Sequence, residues 1–85
     1  MLRITTFDSG NHVVTLQLEG RLVGPWVDEL RSACEPILQK GRMLKLDLLR
    51  VGFADAQGLE LLAQLRKRGA ALDDPSPFLE EEMKP

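Results

Sequence analysis

The chain reads as an α/β domain, a mixed β-sheet carrying helices on it. Three observations predict this. Residues 12–19 alternate apolar and polar, with Val14, Leu16 and Leu18 on one side and Val13, Thr15 and Gln17 on the other, as a half-buried strand requires. Trp26, Leu30, Ala33, Cys34, Ile37 and Leu38 then recur at helical spacing and make one apolar face. The strongly apolar stretch 43–49 follows, with Leu44, Leu46 and Leu48 sharing a face. A strand, a helix and a strand in so short a stretch predict a right-handed parallel crossover.

The remaining elements fall around that unit. Residues 2–7 read as a short strand, and Asp8-Ser9-Gly10-Asn11 is a cluster of turn formers, so the first two strands predict an antiparallel hairpin. Residues 20–24 read as a connection. Pro25 suits the first helical position, where its missing N–H costs nothing, and Asp28 and Glu29 suit the positive end of the helix dipole. Pro36 should kink or end that helix, because it removes the bond to the Ser32 carbonyl. After a loop at 50–54, a second helix starts near Asp55 with Leu59, Leu61, Leu62 and Leu65 on its apolar side. Arg66, Lys67 and Arg68 complement its C-terminal end, and Gly69 caps it. Residues 70–72 read as a brief fourth strand, 73–77 as a break and 78–83 as one or two turns of a last helix. The expected order is β-β-α-β-α-(β)-(α), in a single domain over residues 1–85 whose last element is short or frayed.

Composition narrows the function classes. A domain this short buries only about 60–65% of the surface of its unfolded chain and has no room for two lobes around a deep cleft. The net charge of −2 and the aromatic content of 5% argue against nucleic-acid binding, which uses basic patches and stacking platforms. No apolar run approaches the roughly 18 residues of a membrane span, and the start lacks the apolar core of a signal peptide. The expected compartment is the cytoplasm, with no direct insertion into a membrane.

The chemistry-bearing residues are sparse. The only histidine, His12, sits beside a hairpin turn and reads as a solvated strand end. Cys34 lies on an apolar helix face and reads as a small buried hydrophobe. One His and one Cys do not make a zinc site, and Asp73-Asp74 has no calcium-loop spacing and reads as a charge pair at a helix start. The glycines at 20 and 24 precede a helix without a phosphate-loop pattern. Arg66-Lys67-Arg68 is a helix end before it is a nucleic-acid patch, and 80–82 is an acidic solvated face. No cofactor, no metal and no enzyme activity are expected.

One segment stands out. Residues 46–62 are a strand, a tight loop and a helix start, with Asp55 as a natural N-cap and Gly58 three residues on. Open α/β sheets place binding sites at such strand ends. Taken alone, Asp-x-x-Gly before an apolar helix can also be only a cap and a tight turn.

The segment resembles the signature of the STAS family, the sulfate-transporter and anti-sigma-factor-antagonist domain. Asp47-Leu48 matches the family's strand end, and Asp55-Ala56-Gln57-Gly58-Leu59 matches its Asp-Ser-Ser-Gly-Leu loop-to-helix motif, with Asp55, Gly58 and Leu59 retained. Gly20-Arg21-Leu22-Val23 stands where the family has Gly-Glu-Leu-Asp. Element order and spacing agree over roughly residues 2–80. The resemblance implies a STAS-like sheet and a bacterial, cytoplasmic signalling module for transcription regulation that binds a protein.

In antagonists of this family the second Ser of the motif is the phosphorylated switch; here Gln57 takes that place and Ala56 the one before, and neither accepts a phosphoryl group. Gln57 is neutral and does not mimic the charge of about −1.5 to −2 that phosphate adds. Val23 replaces the acidic residue of the earlier turn. The implied function is a non-catalytic protein-interaction module without a phosphorylation switch, its contact formed by Arg21, Val23, Asp55, Ala56, Gln57, Gly58 and Glu60. The partner would be an anti-sigma-factor or kinase-like protein. The alternative is a STAS-like cytoplasmic subunit of an ABC-type transport or lipid-trafficking complex, with a transporter subunit as partner. A third reading is a nucleotide or small-ligand sensor. A homodimer is left open, as is whether Trp26 packs inside or lies in an interface.

Overall fold

A computed structural model describes residues 1–8 and 10–84. The order is β1 (Leu2–Asp8), β2 (Val13–Leu22), α1 (Pro25–Gln39), β3 (Met43–Ala54), α2 (Ala56–Lys67), β4 (Ala71–Asp73) and α3 (Pro77–Glu82). The four strands form one mixed sheet in sequential order; β1 pairs antiparallel with β2, and β2, β3 and β4 run parallel. The expected fold class and element order are therefore present, including the short final strand and helix.

The alternation in β2 and β3 builds the core. Val14, Leu16 and Leu18 and, beside them, Leu44, Leu46 and Leu48 are buried together with Val27, Leu30 and Cys34 of α1 and Leu61, Leu62 and Leu65 of α2. Each fully buried leucine contributes roughly 1.5–3 kcal/mol relative to exposure. Trp26, Ala33, Ile37 and Leu38 flank this core, so Trp26 is half-buried packing and not a free surface residue. Val27, absent from the predicted face, takes the deeper position in the first turn of α1.

Three boundaries differ from those read along the chain. The stretch 20–24 is not all connection: β2 runs on to Leu22, which is fully buried and paired with Ala54. Gly20 permits this at φ 116°, where any side chain would collide with the Met1 carbonyl. The stretch 50–54 is likewise strand, because β3 continues to Ala54. Its pairing with β2 slips twice: between the pairs Gln17–Asp47 and Glu19–Arg50, and again between Gly20–Val51 and Arg21–Phe53. Each slip adds one residue to β3, so the buried positions after Leu48 are Val51 and Ala54, three apart. Bulges of this kind break the period of two that marks a strand in sequence. Finally, Pro36 does not end α1, which runs on to Gln39. The proline is exposed in the last turn, while Ile37 and Leu38 beyond it pack on the core and hold that turn in place.

Two side chains satisfy the first bulge. The Asp47 carboxylate accepts the Leu49 amide at 3.2 Å. On the other edge the Ser76 amide donates to the Leu48 carbonyl at 3.2 Å, and the Ser76 hydroxyl donates to the Val51 carbonyl at 2.5 Å. Ser76 is also the N-cap of α3, accepting from Leu79. Asp73 and Asp74, read as a helix-start pair, are not at a helix start: Asp73 ends β4 beside Lys45 at 3.3 Å, and Asp74 turns the chain at φ 48°.

Candidate functional site

The carboxyl ends of β2 and β3 carry the two connections that lead into α1 and α2. They lie side by side because Leu22 pairs with Ala54. Asp55 then joins them. Its backbone amide donates to the Leu22 carbonyl at 3.2 Å, one carboxylate oxygen accepts the Gly58 amide at 2.8 Å, and the other accepts the Gly24 amide at 3.1 Å. One side chain thus caps α2 and fixes the start of α1. These amides, Gly58 first and Gly24 second, hold the Asp55 carboxyl below the usual carboxylate range.

Gly58 is buried, and a Cβ there would lie 2.6 Å from the Leu22 carbonyl oxygen and 3.3 Å from the Ala54 methyl. Its role is close approach of α2 to β2. Asp55 and Gly58 therefore serve the architecture of the tip, and the residues turned to solvent are Arg21, Ala56, Gln57 and Glu60, with Val23 half-buried among them. Gln57 and Glu60 border a shallow depression between the helices together with Arg31, Leu61 and Gln64. All seven residues singled out in the sequence belong to these adjoining strand ends and helix starts.

An aromatic cluster beside the tip escaped the sequence reading. The Arg21 guanidinium lies 5.1 Å from the Phe53 ring centre, and the Phe53 and Phe78 rings are 5.1 Å apart. Phe53 is still exposed, as is Leu49 nearby on the same strand. The second bulge of β3 sets the Arg21–Phe53 pairing, so no local pattern announces it.

The other chemistry-bearing residues lie elsewhere. Cys34 is buried, and burial pushes its thiol up to about 12, as expected of a packed hydrophobe. His12 is exposed at the opposite end of β2. Arg68, last of the basic run, bonds Glu35 of α1 and holds that carboxyl below its usual range. Among the described residues no group of three or more metal-ligating side chains occurs. No helix there is long and apolar enough to cross a membrane.

Known proteins share this fold. The family model described as Mlab, STAS domain, matches residues 5–83. The anti-sigma factor antagonist SpoIIAA in its unphosphorylated form has a similar structure, with a TM-score of 0.76 and 19% identity, covering 98% of this chain and 84% of that one. At that identity the likeness speaks for the fold. A crystal structure of Mglu is also similar, with a TM-score of 0.70 and 25% identity; 88% of this chain aligns, spanning 20% of that chain. No curated protein matches the chain.

Proposed function

Because the chain belongs to the STAS domain family, whose Mlab-type model spans residues 5–83, we propose that it is a non-catalytic module that binds a regulatory protein through the Asp55 tip and has no phosphorylation switch. The observation that carries this reading is the double anchoring of Asp55 on Gly24 and Gly58. It makes the tip rigid before any partner arrives, which lowers the entropic cost of association. Arg21, Val23, Ala56, Gln57 and Glu60 are the contact residues, on the frame that Asp55 and Gly58 hold. Gln57 stands where the resemblance to antagonists places the phosphorylated serine. An amide there offers one acceptor and two donors without charge, so the module acts by occupancy alone, as an antagonist fixed in its dephosphorylated form would.

The same tip serves a second reading, a subunit of an ABC-type transport or lipid-trafficking complex. With no membrane-crossing helix among the described residues, such a subunit would reach the bilayer through its partner.

The test is capture from soluble and membrane fractions with wild-type and Gln57→Glu baits. Gln57 is exposed in the first turn of α2, where a carboxylate favours the helix, so the variant folds normally. A soluble kinase-like or sigma-related partner that the variant loses supports the antagonist-like reading. A transporter subunit from the membrane fraction supports the second. Equal capture by both baits refutes the tip as the interface.

A further inference from the structure

We propose that the outer edge of β1 pairs with β1 of a second copy, antiparallel about a two-fold axis at Thr5, to make a continuous eight-stranded sheet. β1 is the outermost strand and pairs only with β2 among the described residues. An exposed strand edge is a template for another chain unless charge, proline, bulge or a covering element blunts it. Among the described residues β1 has no proline, bulge or covering helix, and its charges are Arg3 and, at its end, Asp8. It is seven residues long, its pairing with β2 is regular from Leu2 to Asp8, and it contains no proline. Among the described residues the helices pack chiefly on β2 and β3, and Arg3, Thr6, Phe7 and Asp8 are exposed.

Both ends of this edge are held in place. The Met1 carbonyl accepts the Arg21 amide at 2.9 Å, and Arg42 grips both Asp8 carboxylate oxygens at 2.8 and 2.7 Å. Asp8, the acidic residue of the strand, is thereby occupied within its own chain. Arg3, its one basic residue, has no ion pair among the described residues.

The occupant follows from the strand's own sequence. A two-fold axis perpendicular to an antiparallel pair keeps like faces together, so it must pass through a residue. Leu2–Asp8 has Thr5 at its midpoint, and centring there engages the full strand. That register sets Arg3 of each copy opposite Phe7 of the other, Ile4 opposite Thr6, and Thr5 opposite itself. Phe7 is 54% exposed in the single chain, and each ring of the pair would be covered by an arginine that has no ion pair among the described residues. Threonine pairs are favourable across strands. Because the two sheets run antiparallel, the Asp55 tips of the dimer lie at opposite ends and both stay open. An interface of one strand edge is small, which makes the dimer reversible.

Cysteine trapping and sedimentation test this independently of any partner. In the full chain, Thr5→Cys should form a disulfide-linked dimer on mild oxidation, since Cα atoms directly opposite lie roughly 4.5–5.5 Å apart, within disulfide reach. Thr6→Cys, whose side chain faces the other side of the sheet and opposes Ile4, should not. The wild type should show a concentration-dependent monomer–dimer equilibrium, and Phe7→Lys, which sets like charges opposite twice, should weaken it at least tenfold with unchanged circular dichroism. Trapping through Thr6 in place of Thr5, a wild type monomeric at millimolar concentration, or a Phe7→Lys dimer as strong as the wild type would each overturn the proposal.

Discussion

Gly58→Ala measures how tightly the tip is built. In an ordinary helix the change stabilises, because alanine is favoured over glycine by about 1 kcal/mol. Here the new methyl would stand 2.6 Å from the Leu22 carbonyl oxygen, 3.0 Å from the Leu22 Cγ and 3.3 Å from the Ala54 methyl. The Leu22 oxygen cannot simply retreat. It accepts the Asp55 amide, and Leu22 itself is fully buried. Relief must come from moving α2 away from β2, which loosens the Gly58 amide from the Asp55 carboxylate. Overpacking of this kind costs about 1–3 kcal/mol, so after the helix gain the net loss is about 0–2 kcal/mol. For a domain of this size each kcal/mol lowers the melting temperature by about 4–8 °C. Thermal and urea melts of Gly58→Ala beside Gln57→Ala, an exposed neighbour expected within about 0.5 kcal/mol of the wild type, make the comparison. A Gly58→Ala protein more stable than the wild type by the full helix gain of about 1 kcal/mol would refute the close-approach argument and return Gly58 to being a mere turn residue.

Two further outcomes follow from the geometry. Ser76→Ala removes the α3 cap and leaves the buried Val51 carbonyl without its hydroxyl donor; a loss of about 2 kcal/mol is expected in urea unfolding, and a change within error would show that water takes over both bonds. Stability should also fall on acidification. Asp8, Glu35 and Asp55 are all held below their unfolded values, first by the Arg42 bond, the Arg68 bond and the Gly58 amide respectively. The stabilisation they give is present above unfolded values near 3.8 and 4.5 and is lost as pH drops through the depressed folded ones. The urea midpoint should therefore decline below about pH 4.5, less steeply in Asp8→Asn than in the wild type.

Much of this protein was legible from local pattern. The alternation of Val14, Leu16 and Leu18 and the 3.6-residue face of Leu30, Cys34, Ile37 and Leu38 specify element type, because each strand or helix must turn one apolar side inward. Asp55 as the cap of α2 was also readable, since capping is settled within a few residues of chain. So was the order of strands and helices, and with it the family. What local pattern could not carry is how β2 and β3 meet. The two bulges of β3 put Val51 and Ala54 in the core at a spacing of three, bring Phe53 against Arg21, and turn an apparent loop into strand. Ser76 is the same kind of case. In sequence it sits among turn formers, yet in the fold it closes the carbonyls of Leu48 and Val51, residues 28 and 25 positions earlier. The Gly24 bond that makes Asp55 a clamp as well as a cap spans 31 positions. Periodicity and capping act over one turn or one pleat and are written in consecutive residues. Bulge register, edge satisfaction and the closeness of α2 to β2 depend on which backbone groups from distant parts of the chain face one another, and only the packed structure decides that.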